Sequence, residues 1–220
     1  MQARYRSDYA GEFIVLETQW AGGTKKQKRE WVVNPIENHH ISGRAACIGS
    51  HIDITKFDHN MLQRHRGGLL GSKKLQTYGI GSIAQSMRLD FCVESNTDNL
   101  QKLIDNNYYE NNIVYTTNKN CLAWPGLFYI IPYRTKLLDL CQLIYLAAFD
   151  GHKEIFMLGY SNDTPIESQN WIGEIKTVFD AYSGTKFYLI GEKTNLPASW
   201  LDSANVLTLT HREFISYCDV

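Results

Sequence analysis

The sequence lacks the marks of a membrane protein. None of its runs approaches the roughly 20 apolar residues of a membrane span, and its opening, MQARYRSDYAGEF, holds no apolar stretch of signal-peptide length. The expectation is a cytoplasmic protein. An excess of one charge is missing too: Lys and Arg number 22 against 23 Asp and Glu, a formal net charge of −1, so no global field draws the chain to nucleic acid or to an anionic surface. Close cysteine pairs are absent. Cys47, Cys92, Cys121, Cys141 and Cys218 are scattered, odd in number and never in C-x-x-C spacing, which excludes the common zinc sites and points to buried free thiols in a reducing compartment. The adjacent His39 and His40 would point apart in a strand, so no metal site is expected. There is no G-x-S-x-G elbow, no G-x-x-x-x-G-K-[ST] loop and no complete G-x-G-x-x-G. Internal repeats, low-complexity tracts and linkers are lacking as well.

What is there is an ordinary globular composition, 44% apolar and 20% charged over 220 residues, enough for one sizeable core. GEFIVLETQW alternates and is β-rich, AGGTKKQK supplies a glycine turn and REWVV resumes a strand, which predicts an N-terminal hairpin with the basic cluster at residues 25–29 near its tip. From Arg44 onward, short apolar runs (AACI, LQTYGI, LDFCVE, NIVYTT, LFYIIP, EIFMLGYS, KFYLIGE, NVLTLT) are separated by helical stretches in 97–111, 135–151, 166–184 and 211–218. Thr97 and Thr135 are the expected N-caps, with Gly151 and Gly184 at helix ends that want a left-handed residue. The pattern predicts an α/β, Rossmann-like chain: a mostly parallel sheet with helices on both faces, one domain over 1–220, with 1–43 as a hairpin extension.

In such sheets ligands bind beyond the carboxyl ends of the strands. The residues expected there are Gly49, Ser50, His51 and Asp53 after AACI; Thr77, Tyr78, Gly79, Gly81 and Ser82 around LQTYGI; Asn118 after NIVYTT; and Tyr160, Asn162 and Asp163 after EIFML. Glycines at strand ends let backbone N–H groups approach an anion. RHRGGLLGSKK sets Arg64, His65, Arg66, Lys73 and Lys74 among three glycines, a composition that suits phosphates of a nucleotide or of a nucleic-acid backbone.

YLAAFDGHKEIFMLGYS resembles a segment of the bacterial sialyltransferases and the related motility-accessory-factor-type proteins, in which an apolar helix ends in a G-[YFH]-K-E-I-[YF]-x-x-G turn and strand; the matching residues are Gly151 to Phe156 and Gly159. IGSHIDITKFD, HRGGLLGSKKLQTYGIGSIA and LDFCVE are similar to segments of uncharacterised phage proteins associated with the same fold. The resemblance spans about residues 44–163. It implies a Rossmann-like fold and a glycosyltransferase-like protein that uses or binds a nucleotide-activated sugar, in the host cytoplasm if the chain is viral. On this reading His51 or Asp53 is the base, and Gly49, Ser50, Lys73, Lys74, Asn118, Arg134 and Tyr160 attend the nucleotide. The family's GNGPS turn is degenerate here: Gly49 is kept, and Ser50, His51, Ile52 and Asp53 follow it. That departure favours the alternative, a non-catalytic protein that binds a nucleotide or a partner, acting on host defence or on nucleic acid through 25–29 and 64–74.

Overall fold

The computed structural model describes residues 3–7, 12–21, 24–33, 43–49, 62, 75–131, 137, 139–160, 169–191 and 196–218. The chain opens with β1 (Ala3–Ser7), β2 (Glu12–Ala21) and β3 (Thr24–Val33), which form their own antiparallel sheet with β2 in the middle. The expected hairpin is thus present, extended by a third strand. Its basic cluster lies within a strand: Lys25 pairs with Trp20 and Arg29 with Leu16 along the β2–β3 ladder.

A second sheet follows, built from β4 (Arg44–Ile48), β5 (Gln76–Ile80), β6 (Phe91–Val93), β7 (Ile113–Thr116), β8 (Tyr129–Ile130), β9 (Glu154–Leu158), β10 (Lys186–Ile190) and β11 (Val206–Leu209). The segments between them carry α1 (Gly81–Ala84), α2 (Thr97–Asp105), α3 (Tyr108–Asn111), α4 (Asn118–Ala123), α5 (Asp139–Phe149), α6 (Gln169–Ala181) and α7 (Ala198–Leu201), and α8 (His211–Cys218) follows the last strand. The strand order is β11-β10-β9-β4-β5-β6-β7-β8, and every neighbouring pair is parallel. This is the predicted Rossmann-like sheet. A parallel sheet is covered on both faces, which is why most of its strands are buried on both sides and lack a polar alternation.

The two faces are legible in β4 alone. Ala45 and Cys47 join the core under α5, α6 and α7, whereas Ala46 and Ile48 join the core under α1, α2 and α8. On the first face α5 is apolar nearly all round because α6 covers it; the Cys141 thiol reaches the Trp171 carbonyl at 3.5 Å. Trp171 meets Trp200 edge-on at 5.2 Å, and the fully buried Trp200 satisfies its indole N–H on the Ile172 carbonyl. On the second face Phe156 packs between Tyr188 and Phe214.

Helix ends follow local chemistry. The cap of α2 is Asn96, where Thr97 was expected: its side chain accepts from the Asp98 and Asn99 amides. Asn107 then takes φ 52° and divides the expected 97–111 helix into α2 and α3. Gly151, just past α5, has φ +94° as its position requires, while Gly184 is not in the left-handed region. Thr135 lies outside the described residues.

Candidate functional site

From β4 the chain steps outward through β5 to β8, then returns to place β9 on the other side of β4. The order therefore reverses between β4 and β9, and the carboxyl ends of those strands are the switch point at which open parallel sheets take their ligands. Gly49 and Gly159 stand there. The Gly49 amide donates to the Leu158 carbonyl at 2.8 Å, and Gly159 takes φ +74°. A Cβ on Gly49 would lie 2.9 Å from the Gly159 carbonyl and 3.3 Å from the Tyr160 ring, so the two chains approach only because this residue has no side chain. Tyr160 packs against Gly49. It is 2% exposed and donates to the Leu140 carbonyl of α5 at 3.1 Å, and burial raises its hydroxyl well above the usual tyrosine range.

The β5 residues expected at the ligand are placed differently from one another. Thr77 is fully buried near the amino end of its strand, where its amide and hydroxyl donate to Asp90 at 2.9 and 3.0 Å. Tyr78, also fully buried, donates to the Asp150 carboxylate at 2.8 Å and lies 2.9 Å from His152 Nε2. Both serve the interior and do not reach the rim. Gly79 leaves no room because a Cβ there would meet Leu89 at 2.6 Å, and Gly81 because a Cβ would strike the Glu94 carboxylate. Ser82 is exposed in α1.

Glu94, one residue beyond β6, is 3% exposed and was not anticipated as a site residue. It accepts from the Asn96 amide at 2.8 Å and from Asn99 Nδ2 at 3.1 Å. Burial and the facing Asp139 carboxylate raise its pKa, against the lowering effect of those donors. Asp139 opens α5 and accepts from the Ser95 amide at 3.3 Å, while Asn120 of α4 donates to the Ser95 carbonyl at 2.8 Å. The ends of β6 and β7 and the start of α5 thus converge on one acidic, amide-rich cluster. The only sequence signal for it is a carboxylate placed where the buried run FCV stops; Asp139 was hidden inside a helix that reads as apolar.

His51, Asp53, Ser50, Lys73, Lys74, Arg134, Asn162 and Asp163 lie outside the described residues, as does the basic segment 64–74. Asn118 begins α4, and its Oδ1 is buried with no partner among the described residues. All five cysteines are free thiols, and burial raises Cys47 and Cys92 beyond the thiolate range and pushes Cys121 up to about 12. Among the described residues no three His, Cys, Asp or Glu side chains are grouped to hold a metal, and no described helix is long and apolar enough to cross a membrane.

The amino edge of the sheet carries a different arrangement. Arg44 Nε meets Glu154 at 3.0 Å, and Tyr217 and Tyr188 donate to the same carboxylate at 2.9 and 3.2 Å. The Arg44 guanidinium lies 5.0 Å from the centre of the Tyr217 ring. Beside them is an open hollow of about 550 Å³, lined among the described residues by Arg44, Arg212, Glu213, Ser216 and Tyr217.

A doubly wound parallel sheet with Gly49 and Gly159 in close approach at its switch point defines the class: a Rossmann-like α/β protein. No protein-family model matches the chain, and no curated protein matches its sequence. Among solved structures it is similar to the sialyltransferase CstII from Campylobacter jejuni in complex with a substrate analogue, cytidine-5'-monophosphate, at 12% identity and a TM-score of 0.43, over 66% of this chain and 78% of that one.

Proposed function

We propose that the crevice between β4 and β9 binds the nucleotide part of an activated sugar, and that the protein is a glycosyltransferase-like transferase. The observation that carries this reading is the reversal of strand order where Gly49 and Gly159 bring two backbones together, the position at which such sheets take their ligands. Gly49 and Ser50 follow β4 in sequence, Asn162 and Asp163 follow β9, and on this reading they attend the nucleotide. Lys73, Lys74 and Arg134 supply cations for the phosphate, and His51 or Asp53 is the base. In the transfer step that base removes the proton of an acceptor hydroxyl as its oxygen bonds to the anomeric carbon. The bond from that carbon to the nucleotide phosphate breaks, and the phosphate departs with the electron pair. Thr77 and Tyr78 belong to the supporting core.

Thermal-shift titration with nucleoside monophosphates, diphosphates and nucleotide sugars tests this. A ligand at about 100 times its Kd stabilises by about 2.7 kcal/mol, which is several degrees of melting temperature. Gly49→Ala, which brings a methyl against the Gly159 carbonyl, is expected to abolish the shift. A flat response across the whole panel sinks the nucleotide reading. A shift without any transfer to added acceptors favours the non-catalytic alternative.

A further inference from the structure

The cluster at the ends of β6 and β7 is short of hydrogen-bond donors. Asp139 Oδ1, Asn118 Oδ1 and Gln142 Oε1 are all buried and have no partner among the described residues. Gln142 is 4% exposed, and its Nε2 donates to the Leu137 carbonyl, which turns the carboxamide back over the first turn of α5, where Asp139 stands. Its free oxygen is therefore held at the same helix end as the free oxygen of Asp139. Asn118 begins the helix whose Asn120 is tied to Ser95, the residue that also donates to Asp139. Buried acceptors without donors are costly, so this place calls for a ligand that brings donors. Phosphates and carboxylates bring only further acceptors, whereas sugar hydroxyls bring donors.

Position sharpens the point. Glu94 lies one residue beyond β6, two strands from β4, so the cluster lies about 10 Å along the rim from the glycines at the switch point. If the phosphate lies at the switch point, as proposed above, a second anion is opposed at the acidic cluster, which fixes the direction in which an activated sugar lies.

We infer that Glu94, Asp139, Asn118 and Gln142 form the sugar subsite, and that it takes a neutral, polyhydroxylated sugar and rejects one that bears a carboxylate. This rests on the nucleotide-sugar reading above. A carboxylate placed here would face Asp139 and Glu94 with no cation among their described partners, and like-charge juxtaposition of that kind discriminates strongly.

The experiment is calorimetric titration of metal-free protein with UDP, GDP and CMP, then with matched pairs: UDP-glucose against UDP-glucuronate and GDP-mannose against GDP-mannuronate, with CMP-sialic acid against CMP. The neutral sugar of a pair is expected to bind at least about tenfold more tightly than its carboxylate counterpart. Glu94→Gln and Asp139→Asn, which keep shape and remove charge, are each expected to shrink that ratio, with thermal melts confirming the fold. Nucleotide binding with equal affinity for both members of a pair, or a gain in affinity from sialic acid, overturns the inference while leaving the nucleotide reading intact. An all-oxygen set also suits a divalent cation, so recovery of glucuronate binding on adding Mg²⁺ would assign the cluster to a metal and overturn it too. Failure of every nucleotide to bind strikes the reading beneath and takes this inference with it.

Discussion

Each edge of the parallel sheet carries a glutamate, and the two are handled in opposite ways. At the amino edge Glu154 gathers Arg44, Tyr217 and Tyr188 around one carboxylate. Burial alone would raise its pKa, but the two hydroxyls and the guanidinium outweigh that and hold it below its ordinary value. At the carboxyl edge Glu94 has, among the described residues, only amide donors, faces a second carboxylate and is raised. One edge is internally neutralised. The other keeps a charge conflict and unused acceptors, a combination that concentrates at working sites.

The largest test of this contrast is the isosteric pair Glu154→Gln and Glu94→Gln in urea melts at neutral pH. Glu154→Gln removes the charge that three donors share and is expected to cost about 1.5–3 kcal/mol. Gly81→Ala comes next. Its methyl would strike the Glu94 carboxylate, and a loss of about 1–2 kcal/mol is expected. Shortening the partner in Gly81→Ala/Glu94→Asp should recover part of it, and no recovery would mean that the strain lies elsewhere. Glu94→Gln itself should be neutral or stabilising by up to about 1 kcal/mol, because it removes a poorly compensated buried charge.

The two glutamates should also differ in the sign of their pH dependence. Glu154 has a depressed folded pKa, so its contribution is present above its ordinary value of 4.5 and lost as pH falls through the folded pKa. Glu94 has a raised folded pKa, so the folded state holds its proton longer and stability declines as pH rises above 4.5 through the folded pKa. Wild-type stability minus that of each variant, followed from about pH 3 to about pH 7, should rise for Glu154→Gln and fall for Glu94→Gln. Parallel curves would break the contrast. The smallest effect belongs to neither edge: the exposed Lys176–Asp180 pair on α6, at 3.2 Å, should change stability by no more than about 0.5 kcal/mol in Lys176→Met.

All eight strands of the parallel sheet were readable because each is an apolar run bounded by polar turns, which is what burial on both faces demands. The four long helical stretches were readable from period and length. The short helices α1, α4 and α7, of four to six residues, are too brief to show a period. The cap of α2 was misplaced by one residue because Asn96 and Thr97 both suit the role, and the Glu94 carboxylate, which holds the Asn96 amide, fixes which one serves. At the site, Gly49 was legible as a glycine closing a strand. Glu94 and Asp139 were not: their relation runs through Ser95, 44 positions from Asp139 along the chain, and exists only after β6 and α5 have packed. Gly79 and Gly81 looked like a ligand cradle, but Leu89 and Glu94 fill the space beside them.

The place of β4 also has a consequence in time. Its partner on one side is β5, a short way along the chain, but on the other it is β9, and the contact from Arg44 to Glu154 spans 110 residues. At ribosomal speeds of about 5–20 residues per second, that stretch takes roughly 5–20 s to appear. For that interval the central strand of the sheet has an open edge, and the switch point has only one of its two strands. The nascent chain therefore needs protection from mispairing at β4, and any binding at the switch point begins only once β9 has emerged and docked.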